Sequence, residues 1–249
     1  MNTPFSLEGK RVLITGASSG IGRQIAISCS QMGATVIGTG RDASKLDETL
    51  GLLSGSDHLM VPADLTQASG RDSVLTSIAD PLEGLVHCAG ISRLSPVRMM
   101  NEAHLLEIMA INVNAPMLLT QALLKKQKIQ DGGSILFISS IAAHIGVAGV
   151  AGYSGSKAAL IAMMRCLAME VVKRKIRVNC LSPSLVETPL FEAMELQSGT
   201  SSMEQKRNDH PLGFGKPEDI ANASVFFLSK ASRWITGTTL VMDGGLTIS

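Results

Sequence analysis

The chain reads as a doubly wound α/β fold, a seven-stranded parallel sheet with helices on both faces, in a single domain over residues 1–249. Three observations predict it. Short apolar runs alternate with longer helical patterns from one end of the chain to the other. The runs are apolar on both faces rather than on alternate residues, which marks strands covered from two sides. Each is followed by a helix-length connection, the kind that joins parallel strands by right-handed crossovers. With 249 residues, 45% hydrophobic and 17% charged, the chain can bury a substantial core. No linker, repeat or low-complexity tract divides it.

RVLIT (11–15) is the first strand; Gly/Ser punctuation and a helix from about Ile21 to Met32 follow. TVIGT (35–39) is the second, and the helix DASKLDETLGLL behind it starts at Asp42, a capping residue. HLMVPA (58–63) is the third strand, with a helix after Asp64, and GLVHCAG (84–90) is the fourth. A long helical region covers roughly 99–129 before the fifth strand, SILFIS (134–139). The helix at 153–173 is apolar around most of its surface, which predicts burial on several sides. IRVNCL (176–181) is the sixth strand, 182–216 reads as irregular, a helix runs from about Pro217 to Ser229, and TTLVMD (238–243) is the last strand.

Composition narrows the function classes. A net charge of +1 leaves no electrostatic footprint for nucleic acid. Cys29, Cys88, Cys166 and Cys180 sit in apolar stretches without a C-x-x-C, which predicts buried free thiols in a reducing cytoplasm. MNTPFSLEGK lacks the pattern of a signal peptide, and no uninterrupted apolar run is long enough to predict a transmembrane helix. The five histidines show no metal-ligand spacing.

TGASSGIG (15–22) lies between the first strand and the first helix, where a glycine loop lets a pyrophosphate approach backbone amides at a helix N-terminus. Gly16, Ser18, Ser19, Gly20, Ile21 and Gly22 are therefore candidate cofactor residues. YSGSK (153–157) places Tyr153, the one tyrosine of the chain, four residues before Lys157 on one helical face. A phenol is a proton donor for a developing alkoxide, and a neighbouring ammonium stabilises the phenolate left behind. Ser140, thirteen residues upstream, follows the fifth strand at the sheet edge where such folds bind ligands; Ser139 is its rival, as Asn114 is of Asn112.

These motifs, with AD (63–64), CAG (88–90), Asn112 and SPSLVET (182–188), resemble the short-chain dehydrogenase/reductase family across nearly the whole chain, most of all its 3-oxoacyl-(acyl-carrier-protein) reductases. The resemblance implies a catalytic set of Asn112, Ser140, Tyr153 and Lys157, and selects 140 over 139 by its spacing to Tyr153. It implies that Asn112 holds a water relaying protons to Lys157. It places Asp64 and Leu65 near the adenine, Ala89 and Gly90 against the cofactor, and Pro183, Val186 and Thr188 near the nicotinamide. The position that is acidic in NAD enzymes is Gly40 here, followed by Arg41, which suits the 2′-phosphate of NADP(H). It also implies a substrate lid around 189–216, lined by Leu190, Phe191 and Met194, a homotetramer, and docking of an acyl-carrier protein on a basic surface. Arg174 matches one basic docking position; the other falls near Asp131, of the wrong sign, with Lys126 and Lys128 close by. Two departures stand out. H-C-A-G (87–90) replaces N-N-A-G, and Pro183-Ser184 replaces P-G. The alternatives are a relative acting on a free ketone, sugar or hydroxysteroid, and a non-catalytic NADP-binding sensor or subunit. His144 reads as a surface or helix-contact residue.

Overall fold

The computed structural model of the chain describes residues 3–189, 191 and 200–248. Seven parallel strands, β1 (Arg11–Thr15), β2 (Thr35–Gly40), β3 (Leu59–Pro62), β4 (Leu82–His87), β5 (Ile129–Ile138), β6 (Arg177–Pro183) and β7 (Thr239–Met242), lie in the order β3-β2-β1-β4-β5-β6-β7. The order reverses between β1 and β4, where Thr15 pairs with His87. A crevice opens at the carboxyl ends of the strands at such a switch point.

The strands are apolar throughout because both faces are covered. In β1, Val12 and Ile14 join the core beneath α1 (Gly20–Gln31) and α8 (Pro217–Leu228), built with Ile25, Val225 and Phe227. Leu13, between them, joins the opposite core with Leu119 of α5 (Ala115–Lys125) and Leu160 and Leu167 of α6 (Ala151–Val171). The period of two along a strand thus assigns alternate side chains to two separate cores. Two shorter helices, α2 (Ala43–Leu50) and α3 (Ala68–Ser77), complete the crossovers to β3 and β4. Asp42 caps α2 by accepting from the Lys45 amide at 3.1 Å.

Three expectations about the elements are corrected. The helical region expected over 99–129 divides into α4 (Glu102–Met109), a π-turn over Ala110–Asn114, and α5. Pro116 offers no N–H to the Asn112 carbonyl and its ring crowds that oxygen, so the regular ladder cannot run through. Strand β5 begins at Ile129, five residues early, because Gln130, Asp131, Gly132 and Gly133 bulge between the pairs Leu82–Ile129 and Gly84–Ser134. The stretch 182–216 contains a helix, α7 (Thr200–Asn208), whose TSSMEQKRN has no apolar stripe to announce it. Leu190 and Met194 lie outside the described residues.

Helix α6 is not buried on several sides. Ala162, Met163, Cys166 and Met169 face solvent, Met169 at 74% exposure, since no element among the described residues covers that face. Cys166 is therefore exposed, contrary to the expected burial of all four thiols. Burial pushes the thiols of Cys29 and Cys88 up to about 12 and that of Cys180 to about 11, so all three stay protonated. The continuous helical run Glu102–Lys125 is long and apolar enough, by length and composition, to cross a membrane. Here Ile108, Leu119 and Leu123 are buried inside the protein, and the run carries the buried polar Asn112.

His87 is buried in β4, stacked 4.8 Å from Phe137. The Thr120 hydroxyl donates to Pro116 O at 2.8 Å, so the His87 Nε2–H donates to Thr120 Oγ1 at 2.7 Å. Among the described residues Nδ1 has no partner, and burial pushes the imidazole down to about 3. A histidine titrates near 6.5 when unfolded, so between that value and about 3 only the unfolded chain carries the proton. Stability therefore falls as pH drops through this window. His87 should contribute about 2 kcal/mol of loss between pH 7.5 and pH 5, read from urea midpoints. His87→Asn should remove that part; an unchanged pH slope would refute the assignment.

Candidate active site

The site is built where β1 and β4 end side by side. Gly16 turns the chain at φ 72°, and a Cβ there would stand 2.9 Å from the Ala89 backbone. Only glycine permits that approach. The buried Thr15 hydroxyl accepts the amides of Cys88 and Ala89, both at 3.1 Å. This bond orders the H-C-A-G turn without the asparagine that Cys88 replaces. A Cβ on Gly22 would meet Gly16 O at 2.2 Å, so α1 begins pressed onto the same turn. The first turn of α1 carries no acidic side chain, and Ser19 makes no side-chain cap. Its amides are free for an anion, with the helix dipole behind them. Thr188 stands across from Gly20, 3.5 Å from where a Cβ would be. This cradle, which side chains would fill, suits a pyrophosphate.

At the outer end of the cleft, Gly40 closes β2 with the Ser18 hydroxyl 3.1 Å from its would-be Cβ, and Arg41 is exposed beside it. Asp64 accepts from the Thr66 hydroxyl at 2.7 Å and the Thr66 amide at 3.0 Å. These bonds, and secondarily the positive charge of Arg41, hold its carboxyl below the usual range. Arg41 and Asp64 thus share one lip. Leu65 turns its side chain into the core, and its carbonyl accepts from the Arg71 guanidinium at 2.9 Å.

The four residues expected to catalyse come from three segments. Helix α6 sets Tyr153 and Lys157 on one face, with Nζ 5.8 Å from the ring centroid. Lys157 is buried and donates to Ile138 O at 2.8 Å, with no carboxylate partner among the described residues. Asn112, buried in the π-turn, donates from Nδ2 to Ile91 O (2.9 Å) and Ser156 Oγ (3.0 Å), and its Oδ1 accepts from Ile91 N (2.9 Å). A Cβ on Gly90 would lie 3.2 Å from Asn112 Oδ1 and 3.3 Å from Lys157 Nζ, so the amide oxygen and the ammonium meet over this glycine.

The rivals separate by their bonds. The Ser139 hydroxyl donates to Lys157 O at 2.9 Å and is spent fastening β5 to α6. Ser140 accepts from Ala142 N at 3.2 Å and keeps its own proton to give. Asn114 is exposed. Tyr153 is half-buried, its hydroxyl unpartnered among the described residues.

Beyond β6, Thr188 donates to Val186 O at 3.2 Å, and Val186 is buried and bridged to Gly215. Pro183 closes β6 against Met242. Ser184, which replaces a glycine, lies 2.8 Å from Nε2 of the buried His210, whose Nδ1 lies 2.6 Å from Lys206 O. His210 and Phe191 both pack against Phe214. His144 lies 2.9 Å from Ser182 Oγ, tying the turn after Ser140 to β6. Thr15, Ser156 and the Ser184–His210 pair were not singled out from the sequence; nothing in it joins residues 26 positions apart. The expected basic docking surface is largely consumed. Arg174 is paired with Asp131 at 2.8 Å and donates to Ile129 O at 2.6 Å, while Lys128 donates to Ile78 O at 2.6 Å.

A family model described as enoyl-(acyl carrier protein) reductase matches residues 16–247. A 3-oxoacyl-[acyl-carrier-protein] reductase of Vibrio cholerae is 34% identical over 97% of this chain and 99% of its own. The (3R)-3-hydroxyacyl-CoA dehydrogenase of Canis lupus familiaris is 32% identical over 99% of both. A solved structure from Agrobacterium tumefaciens, described as a 2-deoxy-D-gluconate 3-dehydrogenase with bound NADP, superposes with a TM-score of 0.89 at 31% identity, over 100% of each chain.

Proposed function

The chain belongs to the short-chain dehydrogenase/reductase family, and from that premise we propose that this oxidoreductase uses NADPH to reduce 3-oxoacyl thioesters, with Tyr153 as the proton donor. Gly16, Ser18, Ser19, Gly20, Ile21 and Gly22 would hold the pyrophosphate, Arg41 the 2′-phosphate, Asp64 and Leu65 the adenine, and Ala89, Gly90, Pro183, Val186 and Thr188 the nicotinamide ribose and amide. When bound, the reduced nicotinamide supplies the hydride. Ser140 then donates its free hydroxyl hydrogen to the substrate carbonyl, and Tyr153 gives its proton to the alkoxide that develops there. The ammonium of Lys157, beside the ring, stabilises the phenolate that remains. Asn112 Oδ1 keeps one lone pair facing Lys157 over Gly90, the place for the water that returns the proton. A non-catalytic sensor would have no use for the four together.

One observation carries the substrate class. Leu94, Val97 and Met99 are 65%, 71% and 68% exposed, and Val147 is exposed beside them. These segments join just ahead of Tyr153, where Ser95 N donates to Gly149 O at 2.6 Å and Gly149 abuts Leu94. An exposed apolar wall beside a proton donor suits an acyl chain and offers a sugar few hydrogen bonds. Residues 189–216, with Phe191 buried on Phe214, would be the lid over it. A second reading, a free hydroxy acid or sugar acid, rests on Arg98 of the same segment, exposed and without a carboxylate partner among the described residues. A carrier protein bearing the thioester would dock on the remaining exposed lysines, Lys126, Lys173 and Lys175.

We propose a homotetramer in a reducing cytoplasm. The apolar face of Leu118 on α5 with Met163, Cys166 and Met169 on α6 would meet its copy, and four free thiols fit that compartment. Light scattering should give about four times the 26.2 kDa chain mass; a monomer would overturn this.

Turnover of a 3-oxoacyl thioester, carrier-bound or on CoA, should exceed that of free ketones and gluconates at least tenfold in kcat/KM, about 1.4 kcal/mol. Tyr153→Phe should lower kcat by 10² or more, in the range of general acid catalysis, while NADPH still binds, as fluorescence titration would show. Retained turnover refutes the proton-donor role, and preference for a sugar acid refutes the substrate class. Arg41→Ala should raise KM for NADPH roughly tenfold and leave KM for NADH unchanged, the loss of one charge-assisted contact. A strong preference of the unaltered protein for NADH would refute the cofactor reading.

A further inference from the structure

The amino ends of the strands, opposite the candidate active site, surround a second cavity of about 170 Å³. Its walls carry Lys10, Arg177, Lys230 and Arg233, with Glu83 and Asp131 among them. Lys10 and Arg177 form a fixed back wall at the carboxyl end of α8. Lys10 Nζ donates to Leu228 O at 2.5 Å, and Arg177 donates to Phe227 O (2.7 Å), Ser229 O (3.2 Å) and Ser232 Oγ (2.6 Å). Lys230 and Arg233 stand exposed at the mouth.

Neither acid is ion-paired with these cations, although the charge of Glu83 partly offsets the repulsion on Lys10. Glu83 is engaged by the Arg11 amide at 2.8 Å and the Arg11 guanidinium at 3.5 Å, and Asp131 by Arg174 at 2.8 Å. Among the described residues, none of the four cations has a carboxylate within ion-pair distance. Arg177 and Lys230 repel Lys10 inside a partly dry space. Burial, then the charges of Arg177 and Lys230, push the Lys10 ammonium below its usual range, and burial does the same to Arg177. The bulge of β5, Gln130 to Gly133, lines one side of the cavity, and nothing lies within 4 Å of a would-be Cβ on Gly132. Helix-end carbonyls account for Lys10 and Arg177. They do not account for two further cations at the rim, converging on the same concavity.

We infer that this cavity binds a small multivalent oxyanion, a molecule with two or more acidic oxygens of the pyrophosphate or polycarboxylate kind. Such a ligand would bond the exposed guanidinium of Arg233 and the ammonium of Lys230, and relieve the repulsion behind them.

The test is thermal unfolding of the full chain saturated with NADP+, so that the cradle at α1 cannot report the added anion. Sodium pyrophosphate and sodium citrate are compared with sodium chloride at equal ionic strength. A specific site should raise the midpoint by roughly 5–10 °C at a hundredfold excess over Kd. The rise should mostly vanish in Lys230→Gln/Arg233→Gln, and fall in Lys230→Gln alone, which serves if the double variant does not fold. A larger rise with pyrophosphate assigns a phosphate ligand, and one with citrate a carboxylate. No rise beyond that of sodium chloride, or an equal rise in the variants, overturns the site.

Discussion

Asn112 spends its side-chain amide on other segments, and the site takes its shape from those bonds. Oδ1 and Nδ2 close both backbone groups of Ile91 after β4, and the second Nδ2 hydrogen goes to Ser156 in α6. Ser156 in turn donates to Tyr153 O at 2.7 Å. One buried amide thereby sets the distance between the cofactor side of the cleft, the π-turn and the tyrosine. Losing it would leave several buried polar groups unpaired at once, each costing about 1–3 kcal/mol. The π-turn belongs to the same constraint. Pro116 forbids the regular ladder at that point, and the altered turn is the one that carries Asn112.

The charges of the molecule are arranged with opposite logic at its two ends. At the carboxyl edge of the sheet Lys157 is buried against a carbonyl and an aromatic ring, with no acid among the described residues to neutralise it. It remains available to a phenolate. Near it, burial keeps the thiols of Cys88 and Cys180 protonated, so neither competes for the proton. At the amino edge the acids are consumed by Arg11 and Arg174 while four cations share a cavity. The same economy weakens the basic docking surface that the sequence suggested, because Arg174 is neutralised by the acid that stood in the wrong place.

The segment beyond β6 shows how a departure from the family pattern is absorbed. Ser184 in place of glycine gives His210 a hydroxyl partner. His210 then packs on Phe214, which also carries the Arg207 guanidinium 4.6 Å over its ring. Arg207 reaches Glu187 at 3.8 Å. The base of the proposed lid is fastened to the loop after β6, proposed above to face the nicotinamide, through bonds that a glycine could not supply.

The sequence by itself determined the strands, their parallel order of succession, the glycine cradle and the Tyr153–Lys157 pair. These follow from local rules: β-period and helix-period patterns, glycine where the chain must turn, and residues four apart on one helical face. It also separated Asp42, a cap, from Arg41. It could not see the bulge of β5, since QDGG reads as a turn whether or not the flanking residues pair. It could not find α7, whose polar sequence has no face to declare, nor the exposed side of α6, because apolarity alone does not say what covers it. The choice of Ser140 over Ser139 was borrowed from a resemblance. Its physical reason, a hydroxyl left free while its neighbour is tied to Lys157 O, exists only when β5 lies against α6. Hydrogen bonds between distant segments, such as Thr15 to Cys88 and Asn112 to Ser156, were decided by the tertiary structure, because a donor and its acceptor are assigned by where the chain folds and not by the residues beside them.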